Sequence, residues 1–169
     1  NINNNIEMFS VFKYDDLIRK LILQYKFNDK SYLYKMFCEF LMNDKKILDF
    51  IKSYDIIIPV PMYKSKVRKR GYNQSELIAK ELARKLGLIV YTDVLIKMKN
   101  NKVQSTLNQK ERLENTKNVY KLINLEKINN KRVLIFDDIY TTGATINACI
   151  EEVKKANPEK TGVLTLAKD

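Results

Sequence analysis

Val133-Leu-Ile-Phe-Asp-Asp-Ile-Tyr-Thr-Thr-Gly-Ala-Thr145 decides the fold of this chain. Val133 to Phe136 is a run of four apolar residues, as expected of a strand buried on both faces. It leads into two adjacent carboxylates, Asp137 and Asp138, and then into a hydroxyl-rich turn of Thr141, Thr142, Gly143, Ala144 and Thr145. A helical pattern follows at once, with Ile146, Cys149, Ile150 and Val153 at i, i+3, i+4 and i+7. Where a strand turns into a helix, backbone N–H groups and the helix dipole converge on an anion. The threonine hydroxyls and a glycine that permits close backbone approach suit a phosphate. Two carboxylates beside it would repel that phosphate unless they had their own partner, and a vicinal diol is such a partner. The reading is a ribose-phosphate site.

Other strand–loop–helix sites fit less well. A P-loop needs a Gly-Lys-Ser/Thr ending and a dinucleotide fingerprint needs three glycines, whereas this turn has one glycine and no lysine. An Asp-x-Asp phosphotransfer motif would need an acid at Ile139. A plain βα turn with Asp and Thr as caps uses fewer polar groups than are present here.

Working outward, Asp55-Ile-Ile-Ile-Pro-Val-Pro61 reads as another buried strand, ending in a rigid turn at Val60 and Pro61. Lys64-Ser-Lys-Val-Arg-Lys-Arg70 follows, with five basic residues in seven positions. Asn73 with Glu76 three residues later is a capping-box variant, opening a helix that runs to Gly87. Val90 to Met98 reads as the next strand. Residues 100–116 are polar with little periodicity and are expected to form a long loop or flap; loops of that length are usually functional lids or disordered. Gly162 to Ala167 is the last strand.

Before residue 50 the chain is expected to be mainly helical. Ile6 to Tyr14 is an edge-strand candidate, Asp15 or Asp16 caps a helix reaching Tyr25, and a second helix carries Leu33, Met36, Phe37, Phe40 and Leu41. Residues 51–169 form the core, so residues 1–169 make one domain. Strands alternating with helices imply an α/β fold with a parallel sheet, whose ligands sit at the carboxyl ends of the strands. The turn after Pro61, the loop after Met98 and the acidic-threonine turn then share one edge.

A net charge of +11 points to polyanionic partners, phosphorylated small molecules or nucleic acid. The absence of histidine excludes imidazole chemistry. Cys38 and Cys149 lie too far apart for a local zinc motif, and each falls on an apolar helical face. Buried free thiols in a reducing cytoplasm are expected. No apolar run approaches a membrane span and no secretory signal is visible, so membrane insertion is not expected. The sequence starts at Asn1 rather than Met, which implies processing or trimming upstream.

Three blocks together resemble the ComF family of type I phosphoribosyltransferase-like proteins, associated with DNA uptake in natural competence. They are Pro59-Val-Pro61 with Arg70-Gly-Tyr-Asn-Gln74; Lys102, Gln104, Ser105 and Leu107 with Glu111, Arg112 and Asn115; and the stretch from Asp137 to Thr145. The resemblance implies a type I core sheet flanked by helices and binding of 5-phosphoribosyl-1-pyrophosphate (PRPP) with Mg²⁺. It implies that Asp137, Asp138, Thr141, Thr142, Gly143, Ala144 and Thr145 hold ribose and 5-phosphate, and that Val60 and Pro61 lie against pyrophosphate. Residues 100–116 would be a mobile hood. Arg70 would face the leaving group, with Lys102 and Arg112 brought by the hood. The family usually carries a four-cysteine zinc ribbon ahead of this domain; it is missing from this sequence, so zinc has no part in the reading. Three functions compete: an active phosphoribosyltransferase, a phosphoribosyl-binding module serving uptake through competence-machinery proteins, and an accessory protein binding single-stranded DNA. For the last, Lys64, Lys66, Arg68 and Lys69 would track phosphates, with Tyr63 and Tyr72 flanking the run.

Overall fold

A computed structural model describes residues 6–27, 30–99 and 119–169. The chain begins with β1 (Glu7–Lys13), α1 (Asp16–Phe27), α2 (Leu33–Asn43) and α3 (Lys45–Lys52), followed by β2 (Ile56–Pro59). Next come α4 (Lys64–Arg70), α5 (Gln74–Leu86), β3 (Ile89–Val90) and β4 (Leu95–Lys97). After residue 118 the described elements are β5 (Tyr120–Leu122), a 3₁₀ turn at Leu125–Lys127, β6 (Arg132–Tyr140), α6 (Ala144–Lys154) and β7 (Lys160–Lys168).

Five strands form the main sheet in the order β1-β7-β6-β2-β3, and every pairing in it is parallel. Both faces are covered, which is why β2 and β6 read as unbroken apolar runs. Leu134, Phe136, Leu164 and Leu166 face a core built with α1, α2, α3 and α5. Val133, Ile135 and Val163 face a second core built on Ile146, Cys149, Ile150 and Val153 of α6. Gly162 leaves room on β7 for the buried Tyr54 ring; a Cβ there would fall 2.0 Å from its hydroxyl oxygen. At the amino ends of β2 and β6, Asp55 receives both the backbone N–H and the guanidinium of Arg132, which holds its carboxyl down at about 2.

The chain leaves β2 through α4 and α5 over one face to reach β3, and leaves β6 through α6 over the other face to reach β7. Neighbouring strands with oppositely directed exits open a crevice at their carboxyl ends, where α/β sheets bind ligands. Here that crevice lies beyond Pro59 and Tyr140.

Several local expectations hold. The edge strand β1 forms, Asp15 accepts a hydrogen bond from the Ile18 N–H, and Asn73 caps α5 by accepting from the Ser75 N–H. Both cysteines are buried free thiols. Gly71 and Gly87 end their helices in the left-handed region.

Two expectations are corrected and two helices are added. Val90 to Met98 is not one strand: Ile89–Val90 pairs with β2, whereas Leu95–Lys97 pairs antiparallel with β5 in a separate two-stranded ribbon. The chain breaks at Tyr91 to Asp93 so that Val94 and Leu95 can bury against the α6 core. The strand beginning at Val133 does not stop at Phe136; it continues through both carboxylates to Tyr140, with Asp137 beside Thr165 and Tyr140 beside Lys168. The basic run after Pro61 is itself a helix, and α3 follows α2 after a cap in which Asp44 accepts from the Lys46 and Ile47 N–H groups.

Candidate functional site

Because β6 runs on to Tyr140, its two carboxylates are built into the sheet instead of hanging in a loop. Asp137 and Asp138 are both buried, and successive strand residues address opposite faces. Asp137 accepts from the Ser75 hydroxyl at 3.1 Å and from the Asp138 N–H at 2.9 Å. Burial, and then the neighbouring charge of Asp138, push the Asp137 carboxyl well above the usual carboxylate range. Asp138 is tied across the other face. Its Oδ2 takes the Lys26 ammonium and the Gln74 amide, each at 2.8 Å.

Those partners come from far along the chain. Lys26 sits in the last turn of α1, and Gln74 is the first residue of α5. The Tyr25 hydroxyl donates to the Gln74 carbonyl at 2.7 Å, and the Tyr72 hydroxyl donates to the Tyr25 carbonyl. The end of α1 is thereby fastened over the tip of β6. Gln74 also accepts from Arg70, so Asp138 holds Lys26 directly and Arg70 through the Gln74 amide.

Beyond β6, Thr141 and Thr142 are exposed and Gly143 caps α6 at φ 78°. Glycine is required there twice over. The left-handed backbone disfavours a side chain, and a Cβ would fall 2.4 Å from the Tyr140 hydroxyl oxygen. Residues from Ile139 to Ile146 enclose a dent of about 30 Å³ at the start of α6, on the helix end that favours an anion.

The carboxylates, Thr141 and Thr145 open into one cleft of about 350 Å³ with Val60, Pro61 and Arg70. The topology thus gathers the turn after β2 and the acidic-threonine segment, as the sequence implies. Lys97 and Tyr120, from the β4–β5 ribbon, form another wall, with the ammonium 5.1 Å from the ring centroid. Burial, and then the nearby Lys66, lower the Lys97 pKa. Lys102, Arg112 and the rest of 100–116 lie outside the described residues.

The basic run divides once it is helical. Lys66 and Arg70, four residues apart, both line the cleft. Lys64 and Arg68 fall on the opposite side of α4 by helical spacing, and Lys69 lies between. The four lysines and arginines expected to track a single strand therefore do not share one face.

Sequence reasoning missed Lys26, Ser75, Lys97 and Tyr120 as site residues and gave Gln74 no role of its own in the site. Nothing local marks Lys26, which resembles any basic residue in a last helical turn. Gln74 carried a signal, standing beside Arg70 and Asn73 in one of the three blocks.

A larger cavity of about 520 Å³ opens at the other end of the sheet, against Glu7, Lys154 and Thr161. Its carboxylates, Glu7 and Glu159, come from separate segments, Glu7 is already paired with Lys160, and no glycine turn lines it, so the chemistry favours the smaller cleft.

The phosphoribosyl transferase domain model matches residues 73–169, more than half of the sequence, and takes in α5, β6 and the threonine turn. The chain belongs to the phosphoribosyl transferase domain family. Competence protein F of Haemophilus influenzae is 29% identical over 166 residues, covering 96% of this chain and 72% of that protein. Competence protein ComFC of Streptococcus pneumoniae is 28% identical over 159 residues, covering 94% and 67% respectively. Among solved structures, purine phosphoribosyltransferase from Pyrococcus horikoshii superposes with a TM-score of 0.50 at 20% identity, over 82% of this chain and 75% of that one. The fold is that of a type I phosphoribosyltransferase: a parallel sheet flanked by helices. Residues contributed to the cleft by α1 and α4 lie before the matched segment. Among the described residues, no helix is long and apolar enough to cross a membrane.

Proposed function

We propose that the cleft binds PRPP or a related 5-phosphoribosyl ligand, and that the chain is a ComF-type member of its family with a role in DNA uptake. One observation carries the ligand reading: two sheet-embedded carboxylates and a glycine–threonine helix start open into the same cleft as two cations of α4. The carboxylates suit the ribose hydroxyls, and the Thr141–Thr145 turn suits the 5-phosphate. Lys66 and Arg70 suit the pyrophosphate, which leaves C1 with the bonding electron pair and gathers negative charge as it goes. The printed names of the competence relatives support the biological half of the reading.

Mg²⁺ takes one or two carboxylates together with substrate phosphates and keeps several waters. Asp137 and Asp138 offer that hard-oxygen set, and no group of three or more metal-binding side chains occurs among the described residues. The donors therefore suit an ion that arrives largely on the ligand's own oxygens. Bound there, Mg²⁺ would neutralise pyrophosphate charge.

Calorimetric titration with PRPP and Mg²⁺ tests the reading. One saturable site is expected, and no binding up to millimolar PRPP by a folded protein would overturn it. Pyrophosphate release in a scan of acceptor bases then separates a transferase from a binding module that serves uptake through protein partners.

A further inference from the structure

A second cavity of about 410 Å³ adjoins the ribose-phosphate cleft and shares Lys26, Lys66 and Arg70 with it. Two further residues, Phe27 and Lys69, line this cavity and not the first. Its described lining is thus four cations and one aromatic ring, with no acid among them.

The Phe27 ring is 66% exposed, although it ends a helix whose neighbouring Tyr25 is fully buried. The Arg70 guanidinium stands 5.0 Å from its centroid. A ring paired with a guanidinium makes a surface on which a planar π-system stacks. Lys26 already has Asp138 as its counterion, whereas Lys66 and Lys69 are exposed cations that both line this cavity. A neutral ring would gain from the stacking but not from these lysines. A saturated anion would gain from the lysines but not from the ring.

We propose that this cavity binds a planar aromatic carboxylate, stacked along Phe27 and Arg70 with its anionic group toward Lys66 and Lys69. The three shared side chains would set it beside a 5-phosphoribosyl ligand. That placement rests on the ribose-phosphate reading of the adjoining cleft; the cavity's preference for an aromatic anion rests on its own lining.

Three probes of similar size separate the contributions: nicotinate is aromatic and anionic, nicotinamide aromatic and neutral, cyclohexanecarboxylate anionic and saturated. Ligand-observed NMR titration of the full chain is expected to rank nicotinate about tenfold tighter than either control, a difference of about 1.4 kcal/mol. Phe27→Ala and Lys69→Gln remove exposed side chains that the first cleft does not use. Each should weaken nicotinate several-fold, and Lys69→Gln, which leaves the Phe27–Arg70 pair in place, should keep PRPP affinity at the wild-type value. Equal affinity for the three probes would overturn the proposal, as would nicotinate binding unchanged in both variants. Displacement of nicotinate by pyrophosphate alone, with no discrimination against cyclohexanecarboxylate, would reduce the cavity to a simple anion pocket and also refute it. PRPP binding without nicotinate selectivity defeats only this inference, and loss of PRPP binding in wild type defeats the reading of the cleft.

Discussion

Asp137→Asn and Asp138→Asn should each weaken PRPP binding roughly 10- to 150-fold, since hydrogen bonds to charged groups contribute about 1.5–3 kcal/mol. Their effects on the unliganded fold should differ. Asp137 is buried, and its charged form is disfavoured by that burial and by Asp138. An amide keeps an oxygen to accept from Ser75 and from the Asp138 N–H while removing the charge. Asp137→Asn should therefore raise Tm at neutral pH, by about 2–4 °C for each kcal/mol relieved.

The pH dependence has a definite sign. A carboxyl whose pKa is higher in the folded chain than in the unfolded one favours folding at low pH. That contribution begins to fade as pH rises past the ordinary value of 3.8 and is gone above the raised native value. The Tm gap between variant and wild type should open over this window and close on acidification. Asp138→Asn should not stabilise, because it strips Lys26 of its counterion at 17% side-chain exposure. Thermal melts at acidic and neutral pH, with PRPP titrations, check all of this. Wild-type PRPP affinity in both folded variants would refute the site assignment. A lowered Tm for Asp137→Asn at neutral pH would refute the electrostatic account.

Gly143→Val should damage both binding and stability. The sequence alone suggests a change confined to phosphate access, with the core intact. The structure places a β-branched side chain at φ 78°, which strains the turn, with its Cβ on the Tyr140 hydroxyl, so that the ring must also move. Non-glycine residues held in strained backbone regions cost about 1–3 kcal/mol, or about 2–12 °C in Tm for a chain of this size. Displacing the first N–H groups of α6 should cost ribose 5-phosphate at least about tenfold in affinity. Differential scanning fluorimetry with and without ribose 5-phosphate reads both effects. Unchanged Tm together with undiminished protection by the ligand would show that the turn is neither strained nor engaged.

Much of the site was legible because it is local. The apolar density of Val133 to Phe136, the single glycine and the helical spacing from Ile146 to Val153 fall within one short stretch of chain. The parallel sheet followed from strands alternating with helices. The strand's true end was hidden because consecutive carboxylates usually face water. Here Ser75, Lys26 and Gln74 let them stay buried, and those partners lie more than sixty or a hundred positions away. The helix from Lys64 to Arg70 has no apolar stripe, so periodicity could not reveal it, nor could it show that Lys66 turns toward Arg70. The break between Val90 and Leu95 falls at Thr92 and Asp93, but apolar residues on both sides suit one strand, and the sequence does not show that the two ends belong to different sheets.

The proposed ribose phosphate sits at the carboxyl end of β6, across the start of α6. Amide hydrogen exchange measured residue by residue, with and without ribose 5-phosphate, tests this placement most directly. Slowed exchange is expected in Thr141 to Thr145, extending to Gln74 and Ser75 as α5 tightens on the cleft. Protection confined to the larger cavity near Lys154 to Thr161, with the Thr141–Thr145 amides unchanged, would contradict it.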